Sequence, residues 1–227
     1  MLISHVRKFI YLKTIKTGGT SVEIYFEPWC VDPGKRVEDR HFRDAESSRW
    51  GVVGSRGEQN HPIWYNHAPA SQIRELIGEA LWLDYYKFCV VRNPFDKVVS
   101  AFWFNLPAPV RELLKRADFS VVRKTFAEWI RLAALPLDRS IYTIGDEAVV
   151  DYFVRFETLQ ADLERVCRQL AIPWEPERLG RYKSEHRARI EHFGEYYGPA
   201  GAARVRKEFS WDLEFLGYSN AFNSNAG

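Results

Sequence analysis

The chain has little with which to build a cross-linked, metal-knotted or membrane-spanning protein. It holds only three cysteines, Cys30, Cys89 and Cys167, none in a C-x-x-C spacing, so no disulfide framework is expected. Cys89 lies in an apolar run and Cys167 on the apolar face of an expected helix, which favours free thiols in a reducing compartment. No apolar run approaches the about 18–20 residues of a membrane span. The stretch Met1–Lys8 has no signal-peptide core, and a soluble, cytoplasmic protein is the expectation. Charge of one sign is also not in excess: 32 Lys and Arg against 30 Asp and Glu leave +2, too balanced to argue for nucleic-acid binding. There is no internal repeat, and no H-x-x-x-H or paired Cys/His spacing that would suggest a metal. What remains is a globular composition, 46% hydrophobic and 15% aromatic over 227 residues. That suits one α/β-sized domain spanning 1–227 with a real core.

Two short segments stand out. In the first, the apolar run Phe9–Leu12 reads as a buried strand and leads into Lys13-Thr-Ile-Lys16-Thr17-Gly18-Gly19-Thr20-Ser21. Gly18 and Gly19 allow a left-handed backbone and close approach of a ligand. Thr20 and Glu23 have the spacing of a capping box, so a helix is expected to start near Thr20. Free N–H groups at a helix start attract anions, and Lys16 and the hydroxyls of Thr17, Thr20 and Ser21 add to them. The order differs from the nucleoside-triphosphate loop, where the lysine follows the last glycine. A Gly-rich turn that binds nothing is the alternative. In the second segment, Phe88–Val91 reads as a strand, Asn93-Pro94 as a turn, and Phe95, Val98, Val99 and Phe102 as the apolar face of a helix. Arg92 falls at the strand's carboxyl end, where open α/β sheets bind ligands, and a guanidinium there can grip a phosphate through two hydrogen bonds. Ser100 lies on the following helix. Pairing of Arg92 with Asp96 is the competing use of that arginine.

Together the two segments resemble the sulfotransferases, and more narrowly the group that includes heparan and dermatan 2-O-sulfotransferases and many bacterial enzymes. The resemblance extends to Val154-Arg-Phe-Glu157-Thr-Leu159 and to Asp212-Leu-Glu-Phe-Leu-Gly217-Tyr218. It implies a P-loop-like three-layer α/β fold with a central, mostly parallel sheet flanked by helices. It also implies transfer of a sulfuryl group from 3′-phosphoadenosine 5′-phosphosulfate (PAPS) to a hydroxyl, with a carbohydrate as the expected acceptor and no metal. Lys16, Thr17, Gly18, Gly19, Thr20 and Ser21 would hold the 5′-phosphosulfate, and Arg92 with Ser100 the 3′-phosphate. Lys183 and Arg187, in a basic segment, would close over the 3′ side, unless that segment is a solvated charged turn. The family usually has proline just before the loop lysine; here Ile15 stands there. Vertebrate relatives carry a membrane anchor, and this chain is expected to be of the soluble bacterial type.

Sulfuryl transfer needs charge neutralisation on the leaving phosphate, a role for Lys16, and a base for the acceptor hydroxyl. His67, in Tyr65-Asn66-His67-Ala-Pro-Ala-Ser71, follows an expected short strand at Ile63–Asn66 and resembles the family's base. Glu58 or another loop carboxylate is the alternative base. Residues 28–62 are expected to form a long loop that serves acceptor binding. Ser71 is expected to cap one helix through Leu81, and Thr125 with Glu128 to cap another. The Phe209–Tyr218 stripe is expected to pack in the core. A nucleoside-triphosphate-dependent kinase and a non-catalytic nucleotide-binding relative are the competing functions, and the oligomeric state is open.

Overall fold

The computed structural model describes residues 1–35, 42–57, 61–180 and 189–219. Their contacts gather into two compact units, Met1–Val91 with Asp138–Tyr182, and Arg92–Leu137 with Lys183–Gly227.

The first unit is α/β. Its six-stranded sheet has the order β3-β4-β1-β2-β5-β8. The strands are β1 (Leu2–Ser4), β2 (Phe9–Leu12), β3 (Glu46–Ser48), β4 (Gly51–Val53), β5 (Tyr86–Val91) and β8 (Tyr152–Arg155). A separate two-stranded ribbon pairs β6 (Thr143–Ile144) with β7 (Glu147–Ala148). Strands β2, β5 and β8 run parallel, with Leu12 opposite Cys89 and Val90 opposite Val154. Strands β1, β3 and β4 are antiparallel additions on one side. The sheet is therefore mixed, not mostly parallel. The added strands are three residues each, too short to show a period-two pattern in sequence. Two of them, β3 and β4, lie in the 28–62 segment read as a loop.

Strands β2 and β5 are buried on both faces, as expected when helices cover a sheet, whereas the edge strand β8 buries only Val154 fully. Phe9 and Tyr11 share a core with Phe88, Val90 and Val154, while the alternate residues Ile10, Leu12, Cys89 and Val91 are buried as well. Helix α1 (Gly19–Phe26) contributes Val22, Tyr25 and Phe26 to that core, and helix α7 (Leu159–Gln169) contributes Leu163, Val166 and Cys167. All three cysteines are free and buried. The helix expected from Ser71 to Leu81 is broken by Gly78, at φ 80°, into α2 (Ala70–Ile77) and α3 (Glu79–Asp84). Pro69 stands at the N-cap, with Ser71 inside the first turn. No strand forms over 63–66, because the Nδ1 of His61 accepts the N–H groups of Ile63 and Trp64 and curls the chain.

The second unit is helical: α4 (Pro94–Asn105), α5 (Ala108–Arg116), α6 (Phe119–Leu132), α8 (Pro199–Glu208) and α9 (Ser210–Phe215). Phe95, Phe102, Trp103, Phe126, Tyr196 and Phe209 form its core. Asp118, not Thr125, caps α6, accepting the Ser120 N–H; Thr125 bonds back to the Val121 carbonyl. The C-terminal stripe is only partly core: Leu213 is buried, but Phe215 is 52% exposed and stacks on Trp211. No described helix is long and apolar enough to cross a membrane.

A buried charge cluster ties α1 to the sheet. Glu23, fully buried on α1, takes the Lys13 Nζ and the Met1 amine, each at 2.6 Å. Arg56 lies 3.7 Å from Glu23 and bonds Glu27 at 2.6 Å, and Arg43 also pairs with Glu27. Glu23 is thus an internal ion-pair anchor and not half of a capping box. Burial would push its carboxyl up, but Lys13, the Met1 amine and Arg56 outweigh that and hold it at about 2. Because the folded value lies below the ordinary 4.5, this stability is complete above pH 4.5 and is lost as pH falls through about 2. Glu23→Ala leaves buried cations uncompensated and should cost about 3–5 kcal/mol. Urea unfolding at pH 7 checks this; an unchanged midpoint would mean the cluster adds nothing.

Candidate functional site

The turn after β2 is built from local backbone chemistry. Lys16 and Gly18 both adopt left-handed conformations, at φ 59° and 75°. Gly18 is the N-cap of α1, with no side-chain cap. A left-handed Gly18 followed by helical Gly19 sets successive N–H groups around one concavity, the arrangement that binds anions. Ser21 is the first residue of the helix whose N–H bonds backward, to the Gly18 carbonyl at 3.0 Å. The N–H groups that open a helix have no partner within it. Both glycines are crowded: a Cβ on Gly18, whose φ of 75° already strains a side chain, would lie 3.2 Å from the Phe156 ring, and one on Gly19 would lie 2.9 Å from the Lys13 side chain and 3.1 Å from the Tyr11 hydroxyl.

The hydroxyls expected to face a ligand divide in use. Thr17 is fully buried, and its Oγ1 lies 2.8 Å from the Thr14 Oγ1, which in turn donates to the Val90 carbonyl. Thr17 therefore holds the turn together. Thr20 is half-buried and Ser21 is 7% exposed. Lys16 is half-buried within the turn.

The structure brings His67 to this same strand end. Its Nδ1 lies 2.9 Å from the Lys13 carbonyl oxygen. A carbonyl only accepts, so Nδ1 carries the proton and Nε2 bears the lone pair. Burial, then the charge of Lys13, lowers the His67 pKa to about 4. His67 is neutral at physiological pH, in the tautomer a general base requires. Its backbone is also left-handed, at φ 61°. The other described histidines have structural partners: His5 meets the Tyr85 hydroxyl, His61 caps its turn, and His192 caps the 193–196 turn.

Arg92 and Ser100 belong to the second unit. Arg92 Nε donates to Asp96 Oδ2 at 2.7 Å, with both side chains largely buried. The competing pairing read from the sequence is thus present, but in a sheltered position and not on the surface. Asp96 and Ser100 are four residues apart on α4 and share one stripe of it. Lys183, Arg187, Glu58, His41 and His186 lie outside the described residues. Among the described residues no group of three His, Cys, Asp or Glu side chains could hold a metal ion.

Sequence reasoning missed Asp138 and Phe156. Asp138, 3% exposed, accepts the Ile15 N–H at 2.8 Å, so the residue standing in place of a proline has its N–H satisfied by a carboxylate 123 positions away. Phe156 lies within the quoted Val154–Leu159 segment, and its ring backs Gly18.

Because the His67 value lies below the ordinary 6.5, the folded state resists protonation that the unfolded chain accepts, and stability falls as pH drops from 6.5 towards 4. The shift corresponds to about 3 kcal/mol. His67→Gln should flatten that part of the stability–pH curve, and NMR titration should show the His67 ring neutral at pH 6. A ring that titrates near 6.5 would overturn the burial argument.

No family model matches the chain, and no solved structure matches it. Over 110 residues, 47% of this chain and 85% of the other, it is 29% identical to an uncharacterized protein of Archaeoglobus fulgidus.

Proposed function

We propose that the protein is a PAPS-dependent sulfotransferase acting on a hydroxyl acceptor, a carbohydrate or glycoconjugate, and that its α/β unit is a P-loop-like three-layer fold. The observation that carries this reading is the pairing of a left-handed, N–H-rich turn bearing Lys16 with a neutral histidine hydrogen-bonded to the same strand end. A turn of that kind suits a phosphosulfate, and a neutral imidazole suits removal of a hydroxyl proton.

In the proposed reaction the acceptor oxygen attacks sulfur in line. The bond from sulfur to the 5′-phosphate oxygen breaks as the new S–O bond forms. The acceptor proton passes to His67 Nε2, and adenosine 3′,5′-bisphosphate (PAP) leaves. Lys16 and the N–H groups from Thr17 to Thr20 offset the charge growing on the leaving phosphate oxygen. A base with pKa about 4 is weak towards a hydroxyl, but a bound dianion beside it favours the imidazolium and raises the value. Assignment of the 3′-phosphate to Arg92, held by Asp96, and to Ser100 rests on the sequence resemblance alone, and no metal is needed in this reading.

The first test is calorimetric titration with PAP and, separately, with ATP and Mg²⁺. Metal-free PAP binding with little affinity for Mg-ATP supports the assignment; preference for Mg-ATP overturns it in favour of a kinase. Lys16→Ala should abolish transfer while the fold persists, and His67→Ala should abolish turnover yet retain PAP. Arg92→Ala should weaken PAP by about 1.5–3 kcal/mol, the range for a hydrogen bond to a charged group. Since Asp96 loses its partner in that variant, thermal unfolding is measured alongside.

A further inference from the structure

Three consecutive residues at the end of β2 are fastened to three distant segments. The Lys13 carbonyl accepts from His67, the Thr14 hydroxyl donates to the Val90 carbonyl, and the Ile15 N–H donates to Asp138 Oδ2 at 2.8 Å. Val90 belongs to β5, after which the chain leaves the first unit at Val91; Asp138 is the residue at which it returns. An N–H bond to a carboxylate is roughly twice as strong as one between neutral groups. Immediately after Ile15 the backbone turns left-handed at Lys16. The direction of the Ile15 peptide therefore determines where Lys16 and the N–H groups beyond it point.

We propose that Asp138 is a positioning residue of the anion-binding turn: its carboxylate fixes the start of the turn at Ile15 and thereby sets the placement of Lys16 and of the N–H groups of Thr17 to Thr20. The inference rests on the reading of that turn as an anion site. Its electrostatics give it a distinctive signature. A carboxylate so near a bound phosphate repels it, so if only charge mattered, removing Asp138 in any way would tighten binding. If the hydrogen bond matters, the two replacements diverge. Asp138→Asn keeps an oxygen acceptor without the charge, whereas Asp138→Ala loses both.

The full chain and both variants are titrated with adenosine 5′-phosphate, adenosine 3′-phosphate and PAP. For Asp138→Ala we expect affinity for adenosine 5′-phosphate and PAP to drop about tenfold, the scale of one charged hydrogen bond. Adenosine 3′-phosphate should be unaffected, and Asp138→Asn should bind all three at least as well as the parent. Tighter binding by Asp138→Ala, or a parallel loss for all three nucleotides, would overturn the proposal. Amide hydrogen exchange without ligand separates the two ideas. In Asp138→Ala the Ile15–Gly18 amides should exchange faster while β5 stays protected, and unchanged exchange at Ile15 sinks the positioning role whether or not any nucleotide binds. If the parent chain binds none of the three, the function reading fails, and the exchange result alone decides the role of Asp138.

Discussion

The structure of the first unit depends on where the carboxylate of Glu23 finds its cations. A buried carboxylate without partners is far too costly to keep charged. Its partners come from separate parts of the chain: the Met1 amine at the start of β1, Lys13 just past β2, and Arg56 beyond β4. With helix α1 docked on the sheet, those cations are what compensate the buried charge of Glu23. The short antiparallel strands, marginal by themselves, are in this way bound to the same event that docks the helix carrying the anion-binding turn.

Lys13 links this internal network to the surface chemistry. Its side chain is committed to Glu23, while its carbonyl selects the tautomer of His67. The residue before it, Leu12, is paired within the sheet, and the two residues after it are held by Thr14 and Asp138 contacts. The turn thus starts from a segment with little freedom, which suits a site that must present Lys16 and several N–H groups in a fixed array.

The pairs β2–α1 and β5–α4 were legible in the sequence, because an apolar run followed by glycine, proline or asparagine is a local signal. So was the turn, whose glycines carry the pattern; His67 was read from an expected strand at 63–66 that does not form, and it reaches the strand end through its bond to the Lys13 carbonyl. What escaped notice depended on distant partners. Thr20 and Glu23 have the spacing of a capping box, yet three buried cations decide the fate of Glu23. Strands β1, β3 and β4 are too short to alternate visibly, and their stability comes from the strands beside them. Gly78 divided an amphipathic stretch that looked continuous. Nothing near Asp138 in sequence points to Ile15, and the mixed character of the sheet follows from strands that only pairing reveals.

Among the described residues, four non-glycine positions have left-handed backbones: Lys8, Lys16, His67 and Ala171. Such conformations cost on the order of 1–3 kcal/mol each. At Lys8 and Ala171, both exposed, glycine or asparagine would relieve strain without touching the proposed chemistry. At Lys16 and His67 the same relief would remove the side chains to which the chemistry is assigned. A laboratory selection for thermal robustness alone would thus drift towards glycine at all four positions and erase the proposed activity at two of them, whereas a selection for turnover would keep Lys16 and His67 while leaving the other pair free to change.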